Sequence, residues 1–347
     1  MRSTTMNDAI ALSETPFPAQ NILIHRAEDF CVVEGVNEGD TLSILGELEA
    51  DDTYALSGGA TAQRLALLTH GDGTLEIASG SAVGRTGAPL HLDCALVLMS
   101  ADGQTHDAIV LVETDSDQTV AAVYLLPLEP LRVGAPYRLV KAERAAVRQT
   151  FAQIACVSFS RGTNITLATG AQVPIEKLRI GDRVLTRDNG PQAVRWIGQT
   201  TVRAAGEFAP IVIAPGTLNN LNELVVSPHH RLFVYQRSDQ LGVGRAELLV
   251  KARHLVNGTT VRVRSGGYID YFQILFDSHH IIYAEGIAAE SMLVEPRTRP
   301  ALPPELLDRL PGLLPNHGSR DAHGTDVQKA LLDRPDAIDL LRRASMQ

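Results

Sequence analysis

The chain has 347 residues, of which 44% are hydrophobic and 20% charged, and its formal net charge at pH 7 is −9. That length is typical of about two domains of roughly 100–200 residues each. No apolar run approaches the ~20 residues that a membrane-spanning helix needs, so the composition excludes a span of that kind. Three scattered cysteines are too few for a disulfide framework or a thiolate zinc cluster.

Residues 1–20 are polar and include Pro16 and Pro18, which predicts a disordered lead. The segment lacks the basic-then-apolar pattern of a secretory signal. We therefore expect cytoplasmic residence by default, with export that uses no signal peptide as the alternative.

Residues 21–137 consist of short apolar runs separated by turns rich in glycine and aspartate. Such spacing is typical of an antiparallel sandwich or barrel, and we predict a β-sandwich-like domain. Residues 1–150 contain 9 basic and 21 acidic side chains, whereas the rest of the chain contains 22 basic and 19 acidic ones. The acidic first half has no basic patch and only 5% of the chain is aromatic, so we predict no nucleic-acid partner.

Residues 138–155 are basic and rich in alanine, which predicts a linker, either a short helix or an extended connector. From residue 156 to 296 the strand-like pattern resumes and predicts a second β domain. The segment 297–347 begins with several prolines, and its apolar residues at 304–310 and 327–341 have helical spacing. The sequence therefore predicts an all-β protein with a short α-helical C-terminal tail.

The second β domain carries four short motifs in a fixed order. They are Phe-Ser-Arg-Gly-Thr at 159–163, Ile-Glu-Lys-Leu-Arg-Ile-Gly-Asp-Arg-Val-Leu at 175–185, Ser-Pro-His-His at 227–230, and Asp277 followed by His279, His280, an apolar run at 281–284 and Gly286. In this order the motifs resemble those of the Hint domain, the self-processing module of Hedgehog proteins and inteins. The similarity is greatest to the bacterial Hint form found outside inteins.

The resemblance implies a set of roles for the residues at the matching positions. Ser158 would be the nucleophile that attacks the carbonyl carbon of Val157, His230 the acid that protonates the departing nitrogen, and Ser227 the hydroxyl that orients the same peptide. Asp277 and one of His279 and His280 would assist the second step. Gly162 and Thr163 would form the tight turn after the junction.

Two departures from the family pattern limit the chemistry that we expect. Such domains often begin with cysteine, a better nucleophile than serine at neutral pH. Cys156 lies two residues before the matching position, and it remains the alternative nucleophile. The terminal His-Asn of inteins is replaced by Ile-Ala-Ala-Glu-Ser at 287–291, so we do not expect splicing.

The leading prediction is autocatalytic cleavage between Val157 and Ser158 by an N–O acyl shift. The substrate would be the protein's own N-terminal domain, and the acceptor water or an external nucleophile. We predict no cofactor, and also no metal, because adjacent histidines on a strand face opposite sides and cannot join one site. The alternative is a cleavage-inactive Hint fold that acts as a binding or presentation module.

Overall fold

A computed structural model describes residues 20–235, 246–294, 298–302 and 325–327, together with residues 332, 338, 340 and 341. The described chain is mainly β-sheet, which confirms the all-β prediction. Most of the predicted lead and the predicted tail helix at 304–310 lie outside the described residues. Within the described residues, no helix is long and apolar enough to cross a membrane.

One nine-stranded sheet occupies the first part of the chain. Its strands are β1 (Gln20–Arg26), β2 (Phe30–Glu34), β3 (Thr53–Leu56), β4 (Gln63–Thr69), β5 (Leu75–Ile77), β6 (Pro89–Ser100), β7 (Thr105–Thr114), β8 (Val120–Pro127) and β9 (Tyr137–Glu143). The order is β2-β3-β9-β6-β5-β4-β1-β8-β7, and β6 also pairs with β7. Six strands therefore form a closed ring, from which β9, β3 and β2 extend.

Strand β7 lies between two apolar cores of this sheet. Ile109 and Leu111 face one core, and Val110 and Val112 face the other. Because both faces of the strand are covered, its sequence is a continuous apolar run rather than an alternating one. The strand thus separates two apolar cores, one on each face of the sheet.

The basic, alanine-rich segment differs from the predicted linker over residues 138–155. Its first part belongs to strand β9, which pairs with β6 and β3. Its second part is helix α1 (Val147–Ala155). Val147, Phe151 and Ile154 recur at helical spacing and insert into the core of the first sheet, so the helix is part of that unit.

The second part of the chain forms two larger sheets and a hairpin. Their strands are β10 (Phe159–Ser160), β11 (Asn164–Thr166), β12 (Gln172–Pro174), β13 (Arg183–Leu185), β14 (Pro191–Ala193), β15 (Trp196–Arg203), β16 (Ile211–Ile213), β17 (Leu224–Val226), β18 (Arg231–Tyr235), β19 (Glu247–Lys251), β20 (Val261–Val263), β21 (Tyr268–Leu275), β22 (Ile281–Ala284), β23 (Ile287–Glu290) and β24 (Thr325–Asp326). The sheet orders are β15-β21-β10-β17-β16-β20 and β12-β11-β22-β23-β18-β19-β24, and β13 pairs with β14.

A single apolar core joins these sheets and includes described residues from the tail. Phe159, Val226 and Phe272 contribute to it from the central strands β10, β17 and β21. In the tail, β24 pairs in parallel with β19, and Val327 and Leu341 are buried in the same core. The described part of the tail therefore packs on the second β unit.

Candidate functional site

Ser158 lies immediately before strand β10, where that strand enters the middle of its sheet. Phe159 pairs with Val226 on one side and with Phe272 on the other. This register brings the residues that follow these partners, Ser227 and Gln273, to either side of Ser158. Ser158 is 3% exposed, so the peptide bond before it is buried within the protein.

Ser227 contacts the peptide groups on both sides of the Val157–Ser158 bond. Its Oγ accepts a hydrogen bond from the Ser158 amide nitrogen at 3.0 Å and donates one to the Cys156 carbonyl oxygen at 3.2 Å. Its own amide nitrogen donates to the Ser158 carbonyl oxygen at 2.9 Å. Three hydrogen bonds thus fix the backbone at the junction in one orientation.

His230 is the second side chain at the junction. Its Nδ1 lies 3.1 Å from the Ser158 carbonyl oxygen, and its ring packs edge-on against Phe159. Since a carbonyl oxygen only accepts hydrogen bonds, Nδ1 carries the proton in this contact. The side chain is fully buried, and burial lowers the pKa of His230 to about 4, so the ring is neutral at pH 7.

Gln273 holds the side chain of Ser158 itself. Its Nε2 donates a hydrogen bond to Ser158 Oγ at 3.1 Å from the adjacent strand β21. Sequence reasoning missed this residue because a glutamine in the middle of a strand resembles any other polar strand position. Only the pairing of Phe159 with Phe272 places it beside the hydroxyl.

A small cavity of about 20 Å³ opens beside Ser158. Ser227, Gln273, Glu207 and Tyr271 are among the residues that line it. A cavity needs roughly 10–15 Å³ to hold one water molecule, and a water also needs polar partners. The cavity therefore has room for one water next to the Ser158 hydroxyl.

One comparison with known proteins concerns this part of the chain. The family model of the Hint domain matches residues 157–296, which begin one residue before Ser158. The chain contains a Hint domain. No curated protein matches the chain.

Solved intein structures align with part of the chain. The gp41-1 intein has 13% sequence identity and a TM-score of 0.25, and the alignment covers 38% of this chain and 97% of that one. The MchDnaB-1 intein has 13% identity and a TM-score of 0.26, with 38% and 98% covered.

The Hint domain also contains a buried charged cluster behind His230. Glu290 is fully buried, and its Oε2 lies 2.9 Å from the Arg231 guanidinium and 3.4 Å from His279 Nε2. Burial raises the pKa of Glu290, but the charge of Arg231 and the hydrogen bond from His279 outweigh this effect and lower it to about 2. The electric field of Glu290 also acts on His230 and partly opposes the lowering of its pKa.

The predicted pair His279 and His280 separates within the Hint domain. His279 joins the Glu290 cluster, whereas His280 Nδ1 lies 3.3 Å from Asn189 Nδ2. The His280 backbone nitrogen donates to Ser291 Oγ at 3.0 Å. The adjacent residues therefore have different partners, and their part in the second step stays a prediction.

Asp277 lies away from the junction. Its two carboxylate oxygens accept hydrogen bonds from Arg195 at 2.8 and 2.7 Å, and the side chain is 46% exposed. The described contacts do not bring this carboxylate to Ser158. Asp277 thus pairs with Arg195 at a half-exposed position, and its part in the second step stays a prediction.

Cys156 occupies an apolar environment two residues before Ser158. It is 1% exposed and packs with Val157, Leu275, Met292 and Leu302. Its carbonyl oxygen, rather than its thiol, is the group that contacts Ser227. This arrangement favours Ser158 over Cys156 as the group at the junction.

The turn after β10 contains the predicted pair Gly162 and Thr163. Gly162 has a φ of +85°, which an L side chain rarely adopts, and its amide donates to Glu176 at 2.9 Å. The Thr163 amide closes the turn by donating to the Ser160 carbonyl oxygen at 3.2 Å. The turn directs the chain from β10 into β11 and keeps Ser158 at the strand start.

Proposed function

We propose that the Hint domain cleaves its own chain between Val157 and Ser158 and does not splice. The observation that carries this proposal is the contact of Ser227 with the Ser158 amide nitrogen inside a buried site. That nitrogen is the atom that must leave the Val157 carbonyl carbon. A hydroxyl nucleophile, a polar group on the leaving nitrogen and a neutral histidine are thus brought together at one peptide bond.

The first step converts an amide into an ester. Ser158 Oγ loses its proton and forms a bond to the Val157 carbonyl carbon, the bond from that carbon to the Ser158 nitrogen breaks, and the released hydroxyl proton returns to the donor that protonates the nitrogen. The step therefore moves one proton in total from oxygen to nitrogen, by way of that donor. In our proposal His230 supplies this proton, since its ring needs to move only from the carbonyl oxygen to the nitrogen of the same residue. Ser227 holds the nitrogen while the ring moves.

The second step is hydrolysis of the ester. Water adds to the Val157 carbonyl carbon, the bond to Ser158 Oγ breaks, and the products carry a Val157 carboxylate and a Ser158 amine with its hydroxyl restored. The cavity beside Ser158 offers room for this water. An external nucleophile is the alternative acceptor.

The low pKa of His230 sets the expected speed of the reaction. A histidine with a pKa of about 4 is a strong acid when protonated, but only a small fraction is protonated at pH 7. We therefore expect slow cleavage at neutral pH that accelerates as the pH falls toward 4. Serine is also a weaker nucleophile than cysteine, and this lowers the cleavage rate further.

Intact mass spectrometry of the purified full chain tests the proposal. We expect two fragments, one that ends at Val157 and one that begins at Ser158. Hydroxylamine, which attacks esters, should accelerate their formation. Ser158→Ala should abolish cleavage. Ser160→Ala is the matched control, because this buried serine on the same strand makes no described contact with the scissile bond.

The other outcomes are equally informative. Cleavage before Cys156 would move the nucleophile to that residue. A chain that stays intact under all conditions would refute the proposal and favour the binding or presentation module. The second function is supported by the surface ion pair between Asp277 and Arg195, because this pair engages the carboxylate that the resemblance assigns to the second step.

A further inference from the structure

The N-terminal unit and the Hint domain meet in an interface whose contacts do not include the scissile bond itself, although Glu207 and Phe208 of this interface line the cavity beside Ser158. Residues 206–208 form a short 3-10 turn between β15 and β16 of the Hint domain. The backbone nitrogen of Glu207 donates to the Leu128 carbonyl oxygen at 2.8 Å, just after strand β8 of the first sheet. The ring of Phe208 packs against the apolar core of that sheet.

The fit at this turn is close. A Cβ built on Gly206 would lie 1.8 Å from the Leu128 carbonyl oxygen, and the φ of Gly206 is +52°. Glycine is therefore the residue that lets the two backbones approach to hydrogen-bond distance. Such an approach is typical of a packed interface rather than of two units joined only by a tether.

Arg203 adds a polar contact beside the turn. Its guanidinium donates to the Thr105 carbonyl oxygen at 2.5 Å and lies 3.3 Å from Glu129, and it also contacts the side chain of Gln104. Glu129 is in turn held by His106 at 2.8 Å. Every one of these partners belongs to the N-terminal unit.

The residues before the scissile bond are also embedded in the Hint domain. Val157 is 9% exposed and packs with Leu275, Met292 and Leu302. Helix α1, which precedes it, contacts the short turn Arg299–Ala301. Cleavage between Val157 and Ser158 would break none of these contacts.

We propose that the N-terminal unit is clamped to the Hint domain by the interface of Arg203, the 206–208 turn and the 298–302 segment. This inference rests on the proposed cleavage, and its consequence is that cleavage yields a nicked, two-chain complex. The N-terminal fragment then leaves only in a later dissociation step. Its release is governed by the strength of the interface rather than by the rate of bond breaking.

Size-exclusion chromatography of the cleaved protein tests the clamp. We expect both fragments to elute together at the position of the 37.4 kDa chain, although denaturing mass spectrometry shows two species. Arg203→Ala should raise the fraction of free N-terminal fragment at least several-fold. Arg262→Ala is the matched control, because this arginine pairs with Glu223 inside the Hint domain. Fragments of the wild-type protein that elute separately at micromolar concentration would refute the clamp.

A second measurement keeps the test decisive if the chain does not cleave. Hydrogen exchange of the uncleaved Ser158→Ala chain reports on the Glu207 amide, which bonds across the interface. We expect slow exchange that becomes at least tenfold faster with Arg203→Ala and does not change with Arg262→Ala. Rapid exchange in the parent chain would refute the clamp. If the Glu207 amide exchanges slowly in the Ser158→Ala chain but the wild-type protein never cleaves, the proposed cleavage is refuted and the interface is not.

Discussion

The Ser158 junction and the Asp277 corner are two regions that sequence reasoning placed in one site, and the structure separates them by burial. His230 and Ser227 contact a peptide that is excluded from solvent, where a hydrogen bond or a charge has a strong effect. Asp277 pairs with Arg195 in solvent, where water screens the interaction. The difference shows that residue type and order do not by themselves define a reacting centre.

The largest expected difference between the two regions concerns the cleavage rate. We expect His230→Ala to slow cleavage by about 10²–10⁴-fold, which is the range for loss of a general acid or base. Asp277→Ala should change the rate less than about twofold, because exposed pairs contribute little. Single-turnover cleavage followed by intact mass measures both rates. A larger effect at Asp277 than at His230 would reverse the comparison.

The next largest effect is expected from substitution of the buried Glu290, and it concerns the stability of the folded chain. Glu290→Ala removes the buried carboxylate that pairs with the Arg231 guanidinium, which costs about 3–5 kcal/mol of unfolding free energy. Urea denaturation monitored by fluorescence of Trp196 would measure this loss. If the variant were as stable as the parent chain, the buried Glu290–Arg231 pair would contribute as little to stability as the exposed Asp277–Arg195 pair.

A pH dependence follows from the two buried histidines that follow Ser227. Burial lowers the pKa of His229 and of His230 to about 4 in the folded chain, from the ordinary histidine value of 6.5. Below pH 6.5 the unfolded chain binds protons that the folded chain does not, so stability falls as the pH decreases from about 6.5 to 4. We expect a loss of about 2–3 kcal/mol for each histidine. Urea midpoints measured across this range would test it, and a midpoint that rises toward pH 4 would contradict it.

Gln273 offers a smaller effect within the buried region. Gln273→Leu removes the donor to Ser158 Oγ and should cost about 1 kcal/mol of stability, the usual net value of one hydrogen bond. Gln199→Leu is a suitable control on the neighbouring strand, because this side chain is exposed. If the two substitutions cost the same, the contact with Ser158 contributes nothing measurable.

The smallest effect is expected for the stability of the Asp277 corner. A double-mutant cycle between Asp277 and Arg195 should give a coupling free energy below about 1 kcal/mol, which decreases further in high salt. Thermal denaturation of the two single variants and the double variant provides the cycle. A coupling of several kcal/mol that salt does not weaken would show that this corner is as well insulated as the junction.

Part of the candidate site was predictable because short motifs fix the backbone locally. The Gly162 turn directly follows Ser158 in the chain, and Ser227 and His230 come from one four-residue motif. Gln273 and Glu290 carried no comparable local signal. Their contacts depend on strand pairing between segments more than 50 residues apart in the sequence.

The sequence alone established an all-β protein, because apolar periodicity and turn residues act over a few positions. The Hint-like second half was implied by the resemblance of its motifs to those of a known family. The same resemblance implied roles for Ser158, Ser227 and His230, and these roles stay predictions. The tertiary structure decided which predicted groups are buried together, since burial and strand register depend on the whole chain. It placed Asp277 in an exposed pair, divided His279 from His280, and joined the N-terminal unit to the Hint domain through Arg203.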